Sequence, residues 1–216
     1  MPKRALIEHR PYLLASVIAA TAYYFLADQI KVEMYSMALK GAGVGLLAIY
    51  AAHRGRGIDG AILFAVMALC ALADMVLEWS MTAGGALFAL AHVVAVVLYL
   101  RNRREVTTKS QMLLGAVLLV VTPALSYLLS SDPMVAVYAI PLGAMAATAW
   151  TSRFPRYRVG IGAVLFVVSD LLIFSRMGGV DLAPLPDLLV WPFYYIGQLM
   201  IATGVVQTLR GEQVAH

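Results

Sequence analysis

Charge is scarce in this chain. Asp, Glu, Lys and Arg make up 13% of its 216 residues, against about 25% in an ordinary soluble domain. Cysteine is scarcer still: Cys70 stands alone, which excludes a disulfide framework and any thiolate cluster. Of the four histidines, His9, His53 and His216 fall at or outside the ends of the apolar stretches. Only His92 is left for a buried site, so a three-histidine zinc centre cannot be built. No serine sits in a Gly-x-Ser-x-Gly elbow, no glycine-rich phosphate loop is present, and Asp170 follows Val167-Val168-Ser169 where an intramembrane aspartyl protease carries Gly-x-Gly. Glycine shows no period and the chain is too apolar to be disordered.

What is present is apolar: 62% of residues are hydrophobic and the mean hydropathy is +0.82. A soluble core of this size cannot bury that much apolar surface. Eight stretches have bilayer-spanning length, at 11–27, 34–52, 59–78, 82–100, 111–130, 133–151, 158–175 and 187–209, each near the ~20 residues a helix needs to cross ~30 Å of hydrocarbon. The alternating period of a membrane barrel is absent, so the expected fold is all-α. It is a polytopic bundle of eight transmembrane helices forming a single domain over 1–216. The short basic start shows no small-residue cleavage site, so no cleavable signal is expected.

Eight spans sort the loops into two sets. One carries Lys3, Arg4, Arg10, Arg54, Arg56, Arg101, Arg103, Arg104, Lys109, Arg153, Arg156, Arg158 and Arg210, thirteen of the sixteen basic residues. The other holds Lys31 and Arg176. This asymmetry predicts both termini in the cytoplasm of a multi-pass cell-membrane protein. It also accounts for the net charge of +4 without a nucleic-acid partner. A faint duplication relates Ile62-Leu63-Phe64 and Asp74 in the third span to Val164-Leu165-Phe166 and Asp170 in the seventh, which would make a 4+4 parallel pseudo-repeat.

Polar groups inside the spans are the functional signal, because charges in a bilayer cost several kcal/mol and face a bundle interior or a water-filled cavity. Asp74, Asp170, Lys40, His92 and Gln198 all fall between the mid-plane and one boundary, from five different helices, with Tyr194 and Tyr195 beside Gln198 and Ser169 beside Asp170. Each also has a structural reading. The aspartates and Gln198 could tie helices together, Lys40 could snorkel outward, and His92 could be an interhelical donor. Glu78, one turn beyond Asp74, is expected at the solvated interface. Trp79, Trp191 and Tyr35 read as aromatic-belt anchors, and Gly41 with Gly45 as a small-residue helix contact.

These residues carry a resemblance. GAVLFVVSDLLIF at 162–174 and YYIGQLMIATG at 194–204 resemble two helices of the YhhN family of lysoplasmalogenase-like membrane proteins. Asp74, with GALFALAH at 85–92 after it, is similar to that family's first aspartate motif and histidine helix, and Lys40 takes the place of a second-span lysine. Ala73 stands where the family usually has Gly, and Gly41 where Pro is commoner. The resemblance implies cleavage of the vinyl-ether bond of a lysophospholipid substrate within the bilayer, with Asp74 and Asp170 catalytic. Lys40, His92, Ser169, Tyr194, Tyr195 and Gln198 would be supporting. Membrane lipids are the other expected partners; no cofactor and no metal are called for. The chemistry suits two carboxylates: one protonates the alkene carbon, the other stabilises the oxocarbenium ion and orients water. The same buried groups could instead build a proton- or ion-coupled transporter. Pro123, Pro141 and Pro192 interrupt spans, though none that bears Asp74 or Asp170. A non-catalytic lipid-binding or scaffold protein is the third reading.

Overall fold

The structure is a computed structural model that describes residues 10–30 and 32–211, without the side chains of Arg10, Asp28 and Glu33. Lys3, Arg4, His9, Lys31 and His216, which entered the charge and histidine arguments, lie outside the described residues. Eight α-helices follow in order: α1 Arg10–Leu26, α2 Glu33–Arg54, α3 Gly57–Val76, α4 Met81–Arg101, α5 Lys109–Ser130, α6 Pro133–Thr151, α7 Ile161–Ser175 and α8 Leu185–Gly211. No strand occurs among the described residues; a single bridge pairs Arg103 with Ser152. Among the described residues seven helices are long and apolar enough to cross a membrane, counting the turn before α7 with it, and α1 is a shorter apolar helix. The fold is that of a polytopic helical membrane protein.

Local chemistry sets the helix ends. Thr108 and Gln111 form a reciprocal capping box at the start of α5. α5 ends on Ser131, whose left-handed backbone (φ 55°) lets its N–H reach the Tyr127 carbonyl at 2.7 Å. Asp132 then caps α6 by accepting from the Met134 N–H at 2.8 Å, with Pro133 at the first helical position, where its missing N–H costs nothing. α3 ends at Val76 rather than at 78, because the chain turns through Glu78 and Trp79. The seventh span opens with one π-helical turn, Arg156–Gly160, directly after Pro155.

The helices group into two compact units, one running to Ala91 and taking in the chain from Leu209, the other from His92 to Thr208. In the first, α2 packs on both α1 and α3. Gly41 and Gly45 face α3: a Cβ at Gly41 would meet the Met75 side chain at 2.6 Å, and one at Gly45 would touch the Ala71 Cβ at 3.8 Å. That is the close contact expected of the pair. Ser16 donates to the Gly43 carbonyl at 2.5 Å and ties α1 to α2. In the second unit, α5 and α6 pack together and both touch α7. α7 and α8 meet at two glycines whose backbones nearly touch: a Cβ on Gly162 would lie 2.7 Å from the Gly197 carbonyl oxygen, and one on Gly197 2.6 Å from that of Gly162.

The loops 102–108 and 152–155 of the second unit are locked to each other. Arg153 donates from its backbone to the Asn102 carbonyl at 2.9 Å and from Nε to Asn102 Oδ1 at 2.7 Å. Arg104 Nε donates to the Ser152 carbonyl at 3.3 Å. Buried Asn102 donates in turn to the Leu98 carbonyl at 2.9 Å, so its amide is satisfied on both sides.

Candidate functional site

Four of the five polar groups expected inside the spans are buried, and Lys40 is partly so. Asp170 is 6% exposed, His92 2%, Asp74 2% and Gln198 1%. Since burying an unpaired charge is costly, the partners of each define the chemistry.

In the second unit a hydrogen-bonded chain crosses three helices. The Tyr138 hydroxyl, on α6, donates to Asp170 Oδ2 on α7 at 2.7 Å. His92 Nε2, on α4, lies 3.3 Å from the same hydroxyl. Aromatic rings pack around the chain edge to face: His92 on Phe166 at 4.9 Å, Tyr138 on Phe174 at 5.8 Å, and Phe166 on Tyr194 at 5.0 Å between centroids. Apolar rings bordering the chain strengthen its polar contacts.

Tyr194 therefore belongs to the wall of the site, through Phe166. Tyr195 and Tyr194 both pack on Trp191, at 6.1 and 5.7 Å. Trp191 is thus part of an aromatic cluster, whereas Trp79 and Tyr35 are exposed as belt anchors would be. Ser169 Oγ donates to the Val190 carbonyl at 2.8 Å, tying α7 to α8. Gln198 Nε2 has no hydrogen-bond partner among the described residues, which sets it apart from simple helix glue.

In the first unit Lys40 reaches toward the turn that follows α3. Its ammonium pairs with Glu78 Oε1 at 2.7 Å, lies 5.9 Å from the Tyr23 ring centroid, and is within electrostatic reach of Asp74. Lys40 is the more enclosed partner, its side chain 15% exposed against 43% for Glu78. The expectation of a solvated Glu78 holds in part: it is accessible and also holds the lysine. Asp74, Lys40 and Glu78 form one group in the first unit; Asp170, Tyr138 and His92 form another in the second.

Tyr138 was not singled out from the sequence, where a tyrosine in an apolar run passes for a hydrophobic residue. Depth would have found it. Tyr138 stands five positions from the start of α6 and Asp170 five from the end of α7, roughly 7.5 Å in each case, and the two helices are in contact. Among the described residues no three His, Cys, Asp or Glu side chains converge as a bound metal would need.

An all-helical membrane bundle with a buried carboxylate, an imidazole and a bridging phenol in its second unit defines a polytopic membrane protein with polar groups inside its spans. The sequence model of the YhhN family matches residues 35–205, and the chain belongs to the YhhN family. No curated protein and no solved structure matches it.

Proposed function

We propose that this protein is a membrane-embedded hydrolase that cleaves the vinyl-ether bond of lysoplasmalogen-type lysophospholipids. The observation that carries the reading is the part-buried hydrogen-bonded chain Asp170–Tyr138–His92, in a chain of the YhhN family. Vinyl-ether hydrolysis needs a proton at the alkene carbon β to oxygen. The resulting oxocarbenium ion takes up water, the added water returns a proton to the catalyst, and the hemiacetal collapses to a fatty aldehyde and the glycerophospho-head group. One water is consumed and the carboxyl groups end as they began.

Asp170 is assigned the proton transfer, because the Tyr138 hydroxyl links it to the His92 imidazole. Within the first unit, Lys40 beside Asp74 and Glu78 presents an ammonium suited to a phosphate. Tyr194, Tyr195 and Gln198 line and position, and Ser169 holds α7 to α8. The charge asymmetry of the loops supports a cell-membrane protein with both termini cytoplasmic. Labelling of single cysteines placed at either terminus, in a Cys70→Ala background, reports that orientation.

The test is aldehyde release from a lysoplasmalogen by the purified protein. Release that falls by about 10²–10⁴ in Asp170→Asn, the usual worth of a general acid, supports the reading. No release from the wild-type protein overturns it. The hydrogen-bonded chain is also what a proton-coupled transporter would use; that reading predicts flux in proteoliposomes with the lipid unchanged.

A further inference from the structure

A phenol has one hydrogen and stands here between two partners. Tyr138 donates it to Asp170 Oδ2. The contact with His92 can then be a hydrogen bond only if His92 Nε2 carries a hydrogen and Tyr138 accepts it. Protonating Asp170 reverses the chain. The carboxylic acid donates to the phenol oxygen, the phenol donates to His92 Nε2, and the ring hydrogen must sit on Nδ1. We propose that Tyr138 joins His92 to Asp170 as a single-proton relay, so that the charge state of Asp170 fixes which ring nitrogen of His92 carries the hydrogen. Tyr138 is the positioning residue of this relay.

The geometry suits a relay. The phenol is held by α6, the carboxylate by α7 and the imidazole by α4, so the three groups are fixed by separate helices rather than by one flexible loop. Packing on Phe174 and His92 fixes the Tyr138 ring. Phe166 covers His92 on another side. Besides its own three members, Tyr194 on α8 faces the relay from beyond Phe166. Two polarities of one chain differ by a proton on Asp170 and a tautomer on His92, with no heavy atom displaced. That is a low-cost way to hold a reactive proton in an apolar interior.

The structural part of the proposal stands whatever the reaction; its catalytic part rests on the hydrolase reading. The experiment is nitrogen NMR of the full chain, labelled with ¹⁵N-histidine in nanodiscs, with His92 identified by its loss in His92→Gln. The wild type is expected to show His92 protonated at Nε2 when Asp170 is charged and at Nδ1 once Asp170 takes up a proton on acidification. Tyr138→Phe, which keeps the ring, removes the switch. Asp170→Asn, which cannot ionise, holds a single tautomer wherever the His92 ring is neutral. A His92 that keeps one tautomer throughout in the wild type overturns the relay, as does a switch that survives in Tyr138→Phe or Asp170→Asn. On the hydrolase reading, Tyr138→Phe also lowers kcat for aldehyde release tenfold or more, with KM within about twofold and a changed pH profile. Unchanged kcat and pH profile overturn the catalytic part. Absence of release from the wild type instead overturns the hydrolase reading and leaves the tautomer switch to decide the relay.

Discussion

Adding one methyl group at Gly197 probes the seam that carries the α7–α8 side of the site. A Cβ there would lie 2.6 Å from the Gly162 carbonyl oxygen, and the obstacle is backbone, so no rotamer change relieves it. Ordinary van der Waals contact requires α7 and α8 to part by roughly 0.8 Å. Overpacking of this kind costs about 1–3 kcal/mol, which for a chain of this size lowers the melting temperature by roughly 2–12 °C. The same movement stretches the 2.8 Å bond from Ser169 to the Val190 carbonyl and shifts Phe166 against Tyr194. Displacements approaching 1 Å at a reacting centre can cost about 10²-fold in rate. The assay is a thermal melt of purified Gly197→Ala in detergent, with Gly85→Ala as control, since nothing lies within 4 Å of a Cβ at Gly85. The control is expected to melt at or slightly above wild type, because alanine is the better helix former. Gly197→Ala melting together with Gly85→Ala would refute the close backbone contact.

Three further outcomes follow from single contacts. Asn102→Ala removes the Oδ1 acceptor of Arg153 and the donor to the Leu98 carbonyl, and is expected to cost about 1–3 kcal/mol by thermal melting. A cycle with Arg153→Ala should show the two changes to be less than additive. Glu78→Gln removes an ion pair in which the glutamate is half-exposed, so its effect on stability stays below about 1 kcal/mol. That effect shrinks further between low and high salt. Ser169→Ala loses one buried hydrogen bond, about 1 kcal/mol, and keeps aldehyde-releasing activity, whereas a nucleophilic serine would leave no activity behind.

Hydropathy made the helices legible because each span is bounded by a charge or a turn former: Arg54 closes α2, Lys109 opens α5, and Asp132-Pro133 separates α5 from α6. The ends that moved are those set by local hydrogen bonding. Glu78 fell outside α3 because the chain turns there, and Pro155 led to a π turn at the head of the seventh span. In the site, Asp74, Asp170, His92, Lys40 and Gln198 stood out because each is costly in hydrocarbon. Their partners were not legible. Which groups meet depends on helix rotation, and the two groups that connect the charges, Tyr138 and Glu78, are of types common at ordinary positions: an aromatic among apolar residues and a carboxylate near a boundary. Gly162 and Gly197 were passed over for a similar reason, since a helix contact needs one small residue from each partner and spacing within either helix does not reveal the pair.

The central claim is that a buried carboxylate of this bundle transfers a proton to a vinyl ether, and aldehyde release tests it most directly. Purified wild-type protein, incubated with a lysoplasmalogen in detergent micelles, is expected to release fatty aldehyde in amounts equal to the head group formed. Asp170→Asn, matched to wild type in thermal melting, is expected to release it at least about 10²-fold more slowly. Aldehyde released by Asp170→Asn at the wild-type rate, or none released by the wild type, would contradict the account.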